Sequence, residues 1–413
     1  MRFYKKSHEN LSYSVNLGAI MLTDQHIEII KSTIPLLENA GSALTSHFYQ
    51  RLFTHNPELQ DIFNMSNQKT GRQQVALFEA IAAYAKNIEN LSALTTAVER
   101  IAQKHTSFNI QADHYAIVGH HLIETLRELA TEAFTPDVEA AWTNAYQFLA
   151  GIFINREAEL YQQRSAELGG WQGARAFKVI DTVIESALVK SFIFAPVDQQ
   201  AVIGFTPGQY LGLEVQPTDN DYKEIRQYSL SDKPNGKSYR ISVKREQQDV
   251  PGKVSNYLHD AIKVGDEVKL YAPAGDFFFI DRQTPTVLIS AGVGITPMQG
   301  MLETLAERKH NQSVHFLHAC EDSTQHSFSQ RTHELVSNNN WQQNIWYRNE
   351  DVQQSHVSKG MMDLSSVDLP TEKGNFYLCG PIAFMQFAKQ QLLKLGVGES
   401  NIHYEVFGPH ATL

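Results

Sequence analysis

The chain has 413 residues, a length that predicts two or three domains rather than one. Hydrophobic residues make up 42% and the net charge is −10, which excludes global disorder and argues against nucleic acid or an anionic membrane as a partner. The only two cysteines, Cys320 and Cys379, exclude a disulfide framework, and no apolar run reaches the roughly 18 residues of a membrane helix. We therefore expect a cytoplasmic protein.

The first pattern in the chain is helical and covers residues 21–163. It opens with "TDQHIEIIKSTIPLLENAG", in which Thr23 and Asp24 are capping candidates and apolar residues recur at i, i+3, i+4 and i+7. Segments such as "DHYAIVGHHLIETLRELA" continue this periodicity without strand alternation. The pattern predicts an all-α domain of six or more helices, followed by a glycine-containing linker at residues 164–176.

Two further domains follow the linker. From residue 177 to 283 the segments are short, rich in β-forming residues and separated by turns, which predicts an antiparallel β-barrel. From residue 284 to 413, apolar runs such as "SVHFLHAC" alternate with helices, as in a parallel α/β sheet. The sequence therefore predicts a multidomain protein with an all-α domain, a β-barrel and an α/β domain.

Two short motifs point to nucleotide binding. In "SAGVGITPM" (290–298), Gly292 and Gly294 lie between a strand and a helix, where backbone N–H groups can approach a phosphate. Pro297 stands where a full GxGxxG motif has its third glycine, so an ordinary turn is the alternative interpretation. "RQYS" (226–229) supplies a cation, a ring and a hydroxyl group, although such a tetrad also arises by chance.

The order of the motifs is more specific than either motif alone. The succession PGQY (207–210), RQYS, GKVSNYL (252–258), GVGITPM and YLCGP (377–381) resembles the ferredoxin–NADP reductase superfamily. This resemblance implies that the barrel holds FAD and that the α/β domain holds NADH or NADPH.

The same resemblance implies which residues contact the nucleotides. The residues that would bind the flavin are Tyr210, Arg226, Gln227, Tyr228, Ser229, Val254 and Ser255. Those that would face the nicotinamide nucleotide are Gly292, Val293, Gly294, Ile295, Thr296, Pro297, Cys379, Gly380 and Pro381. The segment that would cover the flavin ring is Val406, Phe407, Gly408 and Pro409. Phe407 would be the stacked ring, although an ordinary core aromatic is the alternative.

The nicotinamide nucleotide could be NADH or NADPH. Glu321 and Asp322 follow the apolar run "HFLHAC". Acidic side chains suit a ribose 2′-hydroxyl and repel a 2′-phosphate. If this loop binds the adenosine, NADH is favoured.

The helical domain contains the side chains that a haem site requires. Such a site needs an imidazole ligand, a hydrogen-bond partner for that ring, and a polar group in an apolar distal pocket. Tyr49, Phe63, Gln73, Leu77 and His105 occur at globin-like separations. The histidines that compete with His105 lack its combination of spacing and position near the end of a short helix: His47, His114, His120 and His121.

Together with the reductase pattern, this domain closely resembles the flavohaemoglobins over residues 21–413. The stretches that carry the resemblance are "RLFTHNPELQDIFNMSNQ", "IAQKHTSF", "FINREAE" and "AGVGITPM". It implies that His105 is the proximal ligand of the haem iron, that Tyr49 and Gln73 are distal, and that Phe63 and Leu77 line the pocket.

The resemblance assigns roles to four more residues. Tyr115 and Glu157 would form a hydrogen-bond network behind His105. The alternatives are that Tyr115 is an ordinary core tyrosine and that Glu157 lies on a solvated helix face. Lys104 and Glu405 would lie near the domain junction and tune electron transfer, or would be ordinary surface charges.

The activity that the resemblance implies is nitric oxide dioxygenation. Electrons would pass from NADH to FAD to haem b, and O2 bound at the haem would oxidise NO to nitrate. Two alternatives stay open: an NAD(P)H-driven ferric, quinone or hydroperoxide reductase, and a haem-based O2 or NO sensor. We expect a monomer.

Two features depart from the family pattern. Residues 1–20 have no counterpart there, so they are either a disordered extension or precede a translation start at Met21, and we favour the second. Val406 stands where relatives often carry cysteine, which leaves the stacking role of Phe407 intact but puts any thiol role in doubt.

Overall fold

The computed structural model of the chain describes residues 22–63, 72–218, 220–247 and 251–408. Three of the sequence predictions fall outside these residues: the extension at 1–20, the side chain of Gln73, and Pro409.

The first domain is all-α. Its helices are α1 (Asp24–His55), α2 (Arg72–Lys86), α3 (Thr95–Thr106), α4 (Ala112–Leu129) and α5 (Pro136–Ala166). Thr23 caps α1, because its Oγ1 accepts a hydrogen bond from the His26 amide at 3.2 Å. At Gly41 the backbone leaves the helical region (φ 52°, ψ −139°), so α1 is two helices joined at a kink. The described part of the domain therefore has six α-helical segments.

Apolar faces of α1, α2, α4 and α5 form the core of this domain. Among the buried side chains are Ile30, Phe48 and Leu52 of α1 and Trp142 of α5. The Trp142 Nε1 donates to Thr33 Oγ1 at 3.1 Å, so the indole buries its polar atom without losing a hydrogen bond. A separate cluster packs α3 on α5 through Val98, Ala102, Phe153 and Leu160, and this places the two helices from which the site is built.

The second domain is an antiparallel barrel. Its strands are β1 (Arg175–Ile184), β2 (Val189–Pro196), β3 (Tyr210–Val215), β4 (Glu224–Ser229), β5 (Tyr239–Lys244) and β6 (Glu267–Leu270), in the order β4-β3-β6-β1-β2-β5. A bridge between Leu230 and Ile241 joins the two ends of this sheet. Helix α6 (Lys253–Asp260) lies between β5 and β6.

The third domain is a parallel sheet flanked by helices. Its strands are β7 (Thr286–Ala291), β8 (Val314–Cys320), β9 (Gln342–Tyr347), β10 (Val357–Lys359), β11 (Asn375–Cys379) and β12 (Ile402–Glu405); its helices are α7 (Ile295–Glu307), α8 (Ser329–Asn338) and α9 (Ile382–Lys394). The strand order is β10-β9-β8-β7-β11-β12. Strands β8, β9 and β10 are added in turn on one side of β7, and β11 and β12 are added on its other side. The topological switch point therefore lies between β7 and β11. Ligands of open α/β sheets bind at that point, outside the carboxyl ends of the strands.

The predicted fold class is confirmed: a helical domain, an antiparallel barrel and a parallel α/β domain follow one another. Helix α5 runs to Ala166 and β1 begins at Arg175, so the segment between these elements is short. Within the described ranges, no helix combines the length and the apolar character needed to cross a membrane.

Candidate functional site

Three helices of the α-domain bring His105, Tyr115 and Glu157 together. His105 lies in the last turn of α3, Tyr115 in the first turn of α4, and Glu157 on the buried face of α5. His105 Nδ1 lies 2.9 Å from the Tyr115 hydroxyl and 2.8 Å from Glu157 Oε1, and the Tyr115 hydroxyl donates to Glu157 Oε1 at 2.5 Å. Burial raises the pKa of Tyr115, so this hydroxyl keeps its proton and acts as a donor.

This network leaves one ring nitrogen of His105 available. Nδ1 is used by Glu157 and Tyr115, whereas Nε2 makes no hydrogen bond to any described residue. The His105 side chain is 34% exposed although the Glu157 side chain is only 3% exposed. A carboxylate at Nδ1 fixes the tautomer that presents Nε2 as a ligand and makes the ring a stronger electron donor. The donor set therefore fits an axial ligand of haem.

Aromatic and apolar side chains lie near Tyr49. The Tyr49 ring is buried and meets the Phe63 ring edge-on with centroids 5.8 Å apart, and Phe53 contacts both. Leu77, on α2, is partly buried against the same core. The structure thus brings Tyr49, Phe63 and Leu77 into one apolar region.

The competing histidines have other surroundings. His47 pairs with Glu128 at the surface at 2.6 Å, and His114 belongs to the capping box of α4. His120 and His121 have rings 5.1 Å apart, and His121 Nε2 lies 2.9 Å from Asn56 Oδ1. Among the five histidines considered, His105 alone has a buried carboxylate on one ring nitrogen.

The flavin motif lies on two paired strands of the barrel. In the register of β3 and β4, Tyr210 stands opposite Ser229, and both are buried. Gly275 makes room for Tyr210, since a Cβ at position 275 would lie 2.8 Å from the tyrosine ring. The remaining motif residues continue along β4, and Arg226 Nη2 pairs with Glu224 at 2.8 Å.

Gln227 has a partner in the α-domain. Its Nε2 donates to Ser107 Oγ at 3.2 Å, just beyond the end of α3. Among the flavin-motif residues the structure therefore places Gln227 at the junction with the α-domain, a position that its sequence motif did not predict.

The second flavin segment begins helix α6. Val254 is buried, and Ser255 Oγ accepts from the Glu246 amide at 3.2 Å and lies 3.2 Å from the Gly252 carbonyl oxygen. No side chain caps this helix at Gly252, so its first N–H groups can meet a phosphate.

The nicotinamide motif lies at the switch point between β7 and β11. A Cβ on Gly294 would lie 2.2 Å from the carbonyl oxygen of Cys379, so the glycine permits the two loops to touch. Gly292 has φ +52° and open space where a Cβ would project. Helix α7 begins at Ile295 without a side-chain cap, and Thr296 Oγ1 donates to the Val293 carbonyl at 3.0 Å. The open glycine turn and the uncapped helix form a cradle that fits a phosphate group.

The C-terminal segment crosses the junction of all three domains. Glu405 ends β12 beside Cys379, Val406 is partly buried, and Phe407 is 45% exposed. Lys104 Nζ of α3 donates to the Gly408 carbonyl oxygen at 2.6 Å. Burial, assisted by the charge of Asp276, raises the pKa of Glu405 to about 8. Burial also lowers the pKa of Lys104, although Glu405 opposes that shift.

Several residues at the same junction escaped the sequence analysis. Arg100 Nε of α3 pairs with Asp276 Oδ2 of the barrel at 3.1 Å, and the Gly275 amide donates to Gln103 Oε1 at 3.3 Å. These partners are more than 170 residues apart in the chain. Helical periodicity predicts only which face of α3 packs inside its own domain. No local sequence pattern could therefore have predicted the contacts of Arg100 and Gln103 with the barrel.

The acidic loop after β8 is held by its own neighbours. Glu321 accepts from Asn349 Nδ2 at 2.9 Å and from Arg348 Nη1 at 3.4 Å. The Asp322 carboxylate accepts from the Thr324 amide at 3.0 Å. The loop therefore has a fixed shape at the carboxyl edge of the sheet.

These domains and this site define an oxidoreductase in which a globin is joined to an FAD- and NAD-binding reductase. Family models match in the same order: Globin over residues 46–153, Oxidoreductase FAD-binding domain over 176–279 and Oxidoreductase NAD-binding domain over 288–390. The chain is 62% identical over 395 residues to a flavohemoprotein of Vibrio cholerae serotype O1. This alignment covers 95% of this chain and all of the relative. The chain belongs to the flavohemoprotein family, and its cofactors are haem, FAD and a nicotinamide nucleotide.

Two solved structures have similar folds. A flavohemoglobin from Malassezia yamatoensis with bound FAD and heme is 26% identical and aligns with a TM-score of 0.83 over 94% of this chain and all of that chain. The FAD/NAD-binding domain of a nitric oxide dioxygenase from Vibrio cholerae is 54% identical, with a TM-score of 0.56, over 58% of this chain and all of that chain.

Proposed function

We propose that the protein is a nitric oxide dioxygenase in which electrons pass from NADH through FAD to haem. The observation that carries this proposal is the contact of a buried carboxylate, Glu157, with the Nδ1 atom of His105 at 2.8 Å. An oxygen carrier has no need for a strongly donating proximal ligand, whereas oxygen chemistry benefits from one. The Vibrio cholerae reductase domain described above comes from a protein called a nitric oxide dioxygenase, which supports the same activity.

The α-domain residues would hold haem as follows. His105 Nε2 would bind the iron, while Glu157 and Tyr115 would hold the ring orientation and its electron donation. When bound, haem supplies an iron that takes up O2. Tyr49 and Gln73 would donate hydrogen bonds on the distal side, and Phe63 and Leu77 would keep the approach apolar. An apolar path suits NO, because that molecule is small and neutral.

The reductase residues would position the two nucleotides. Tyr210 and Ser229 would contact the flavin, whose chemistry splits the electron pair of a hydride into single electrons. The glycine cradle at Gly292 and Gly294 would receive the pyrophosphate of the nicotinamide nucleotide. The acidic side chains of Glu321 and Asp322 support NADH over NADPH, since they would repel a 2′-phosphate.

The proposal can be tested on the purified, fully loaded protein. An absorption spectrum recorded before and after anaerobic NADH, and again after CO, should show reduction of the haem and then an open iron site. NO consumption with NADH and O2 should be fast in the wild type and near the rate of free haem in His105→Ala. His47→Ala is the matched control, because His47 is a surface histidine paired with Glu128, and this variant should behave as the wild type.

The alternatives predict different results. A ferric, quinone or hydroperoxide reductase would retain its main activity in His105→Ala, because that activity needs only the flavin. A haem-based sensor would bind NO and O2 without turnover. If NO consumption in the wild type does not exceed that of free haem, the dioxygenase proposal is wrong.

A further inference from the structure

A surface groove reaches the proximal network from outside the haem region. It has a volume of about 600 Å³ and lies between one face of α5, the turn before α4 and the linker to the barrel. The residues from these three segments include Ile154, Glu157 and Ala158 of α5, Ile110 before α4, and Gln172 of the linker. The groove is therefore bounded by the globin domain and by the segment that connects it to the reductase.

Glu157 gives this groove its chemical character. All its other lining residues are apolar or neutral polar, so in the described chain Glu157 is the one charged side chain that lines it. Both hydrogen bonds of the carboxylate, from Tyr115 and with His105, involve Oε1. Oε2 accepts no hydrogen bond from any described residue. A carboxylate oxygen that lacks a hydrogen-bond donor from the protein attracts a cation that carries N–H groups.

We propose that the groove binds a primary alkylammonium ion. The ammonium group would donate to Glu157 Oε2, and the alkyl chain would lie against Ile110, Ile154 and Ala158. A metal ion fits less well, because the described residues contain no group of three or more His, Cys, Asp or Glu side chains able to hold one. The volume is large enough for an aliphatic amine with a chain of at least four carbons.

Occupation of the groove would change the proximal ligand. A positive charge on Oε2 draws the negative charge of Glu157 away from Oε1, which weakens the electron donation to His105. The bond between His105 and the haem iron would then weaken. This second step rests on the proposed function, because it requires that His105 binds the haem iron, whereas binding in the groove does not.

The experiment uses the full-length, loaded protein with n-butylammonium chloride as the probe. Isothermal titration calorimetry should show saturable binding, and n-butanol, which has the same chain without the charge, should give none. The variant Ala158→Leu fills the groove and should weaken binding at least tenfold. Ala140→Leu is the matched control, because Ala140 is an exposed alanine in the first turns of the same helix, and it should bind as the wild type does.

A second measurement separates the two steps. The iron–histidine stretching frequency of the reduced protein, measured by resonance Raman spectroscopy, should fall along the same binding curve. Absence of saturable heat, or equal binding by Ala158→Leu, overturns the groove proposal. Saturable heat that is lost in Ala158→Leu, in a protein that shows no iron–histidine band, supports the groove and counts against His105 as the ligand.

Discussion

The carbonyl oxygen of Ser107 occupies the space that a side chain on Gly212 would need. A Cβ built on Gly212 would lie 2.2 Å from this oxygen, well inside van der Waals contact. Ser107 follows α3, which carries His105, and Gly212 lies in β3, which begins at Tyr210. This contact therefore sets how closely the candidate haem ligand approaches the candidate flavin site.

Replacing Gly212 by alanine should separate the two domains locally. The added Cβ must displace backbone rather than a flexible side chain, so the junction opens and electron transfer slows steeply with distance. We expect haem reduction by NADH, followed by stopped-flow absorbance under CO, to slow at least tenfold. Reduction of ferricyanide by NADH should stay unchanged, because it needs only the reductase. Gly204→Ala is the control, since a Cβ there meets no atom within 4 Å; equal rates in the two variants would contradict the prediction.

Glu157→Gln should weaken the proximal network without removing its side chain. An amide oxygen carries no charge, so His105 loses most of its anionic character. The iron–histidine stretching frequency should fall, and NO consumption should drop about 10- to 100-fold, the usual range for loss of a partner behind a metal ligand. Glu159→Gln on the same helix serves as the control, because Glu159 is an exposed partner of Arg156. An unchanged frequency in Glu157→Gln would show that the carboxylate does not act on the ring.

Glu405 should make folding stability depend on pH in the neutral range. The pKa of this carboxyl is about 8 in the folded chain against an ordinary value of 4.5, so the folded protein holds the proton more tightly than the unfolded chain does. That stabilisation is complete below pH 4.5 and is lost as pH rises through about 8. Between pH 6 and 9, wild type should therefore lose about 1 kcal/mol or more relative to Glu405→Gln, after allowance for solvent screening.

Urea unfolding followed by tryptophan fluorescence measures this difference. Glu399→Gln is the control: Lys389 lowers the pKa of Glu399, so this carboxyl is ionised in both states throughout that range. The difference between wild type and Glu399→Gln should not vary with pH. A pH-independent difference for Glu405→Gln as well would refute the prediction.

Gly294→Ala should impair nicotinamide binding. The new Cβ would meet the Cys379 carbonyl at 2.2 Å, so the loops after β7 and β11 must move apart. We expect the KM for NADH in ferricyanide reduction to rise at least tenfold, while the haem absorption spectrum stays the same. Gly398→Ala provides the comparison, because the nearest atom to its Cβ would be the Ser400 hydroxyl at 3.9 Å. A normal KM in Gly294→Ala would mean that the cradle does not hold the nucleotide.

The sequence was most informative where function and local pattern coincide. Helical periodicity and capping at Thr23 predicted the first domain, and alternating short strands predicted the barrel, because burial of one face imposes these repeats. The structure brings His105, Tyr115 and Glu157 together as the family resemblance implied. Such proximity is not visible in spacing, since the three residues lie on three helices whose packing the pattern does not specify.

Contacts between domains were beyond the reach of sequence patterns. Arg100, Gln103 and Ser107 all meet the barrel, yet none interrupts the helical pattern of its own segment. Gln227 was assigned to the flavin by its motif, whereas its side-chain amide contacts Ser107. A residue at an interface contacts two domains, whereas local periodicity reflects only the packing inside its own domain.

The hydrogen bond from Lys104 to the Gly408 carbonyl connects the end of the last domain to the first. It adds to the covalent linker and to the contacts of Arg100, Gln103 and Ser107 with the barrel, so the reductase and the globin are joined at several points. If the reductase donates electrons to the haem as proposed, the two are held at an effective concentration that dilution does not change. Under the proposed function, haem reduction would be a first-order event within one molecule. Its rate would not fall at low protein concentration, the condition in which a separate reductase would seldom meet its partner.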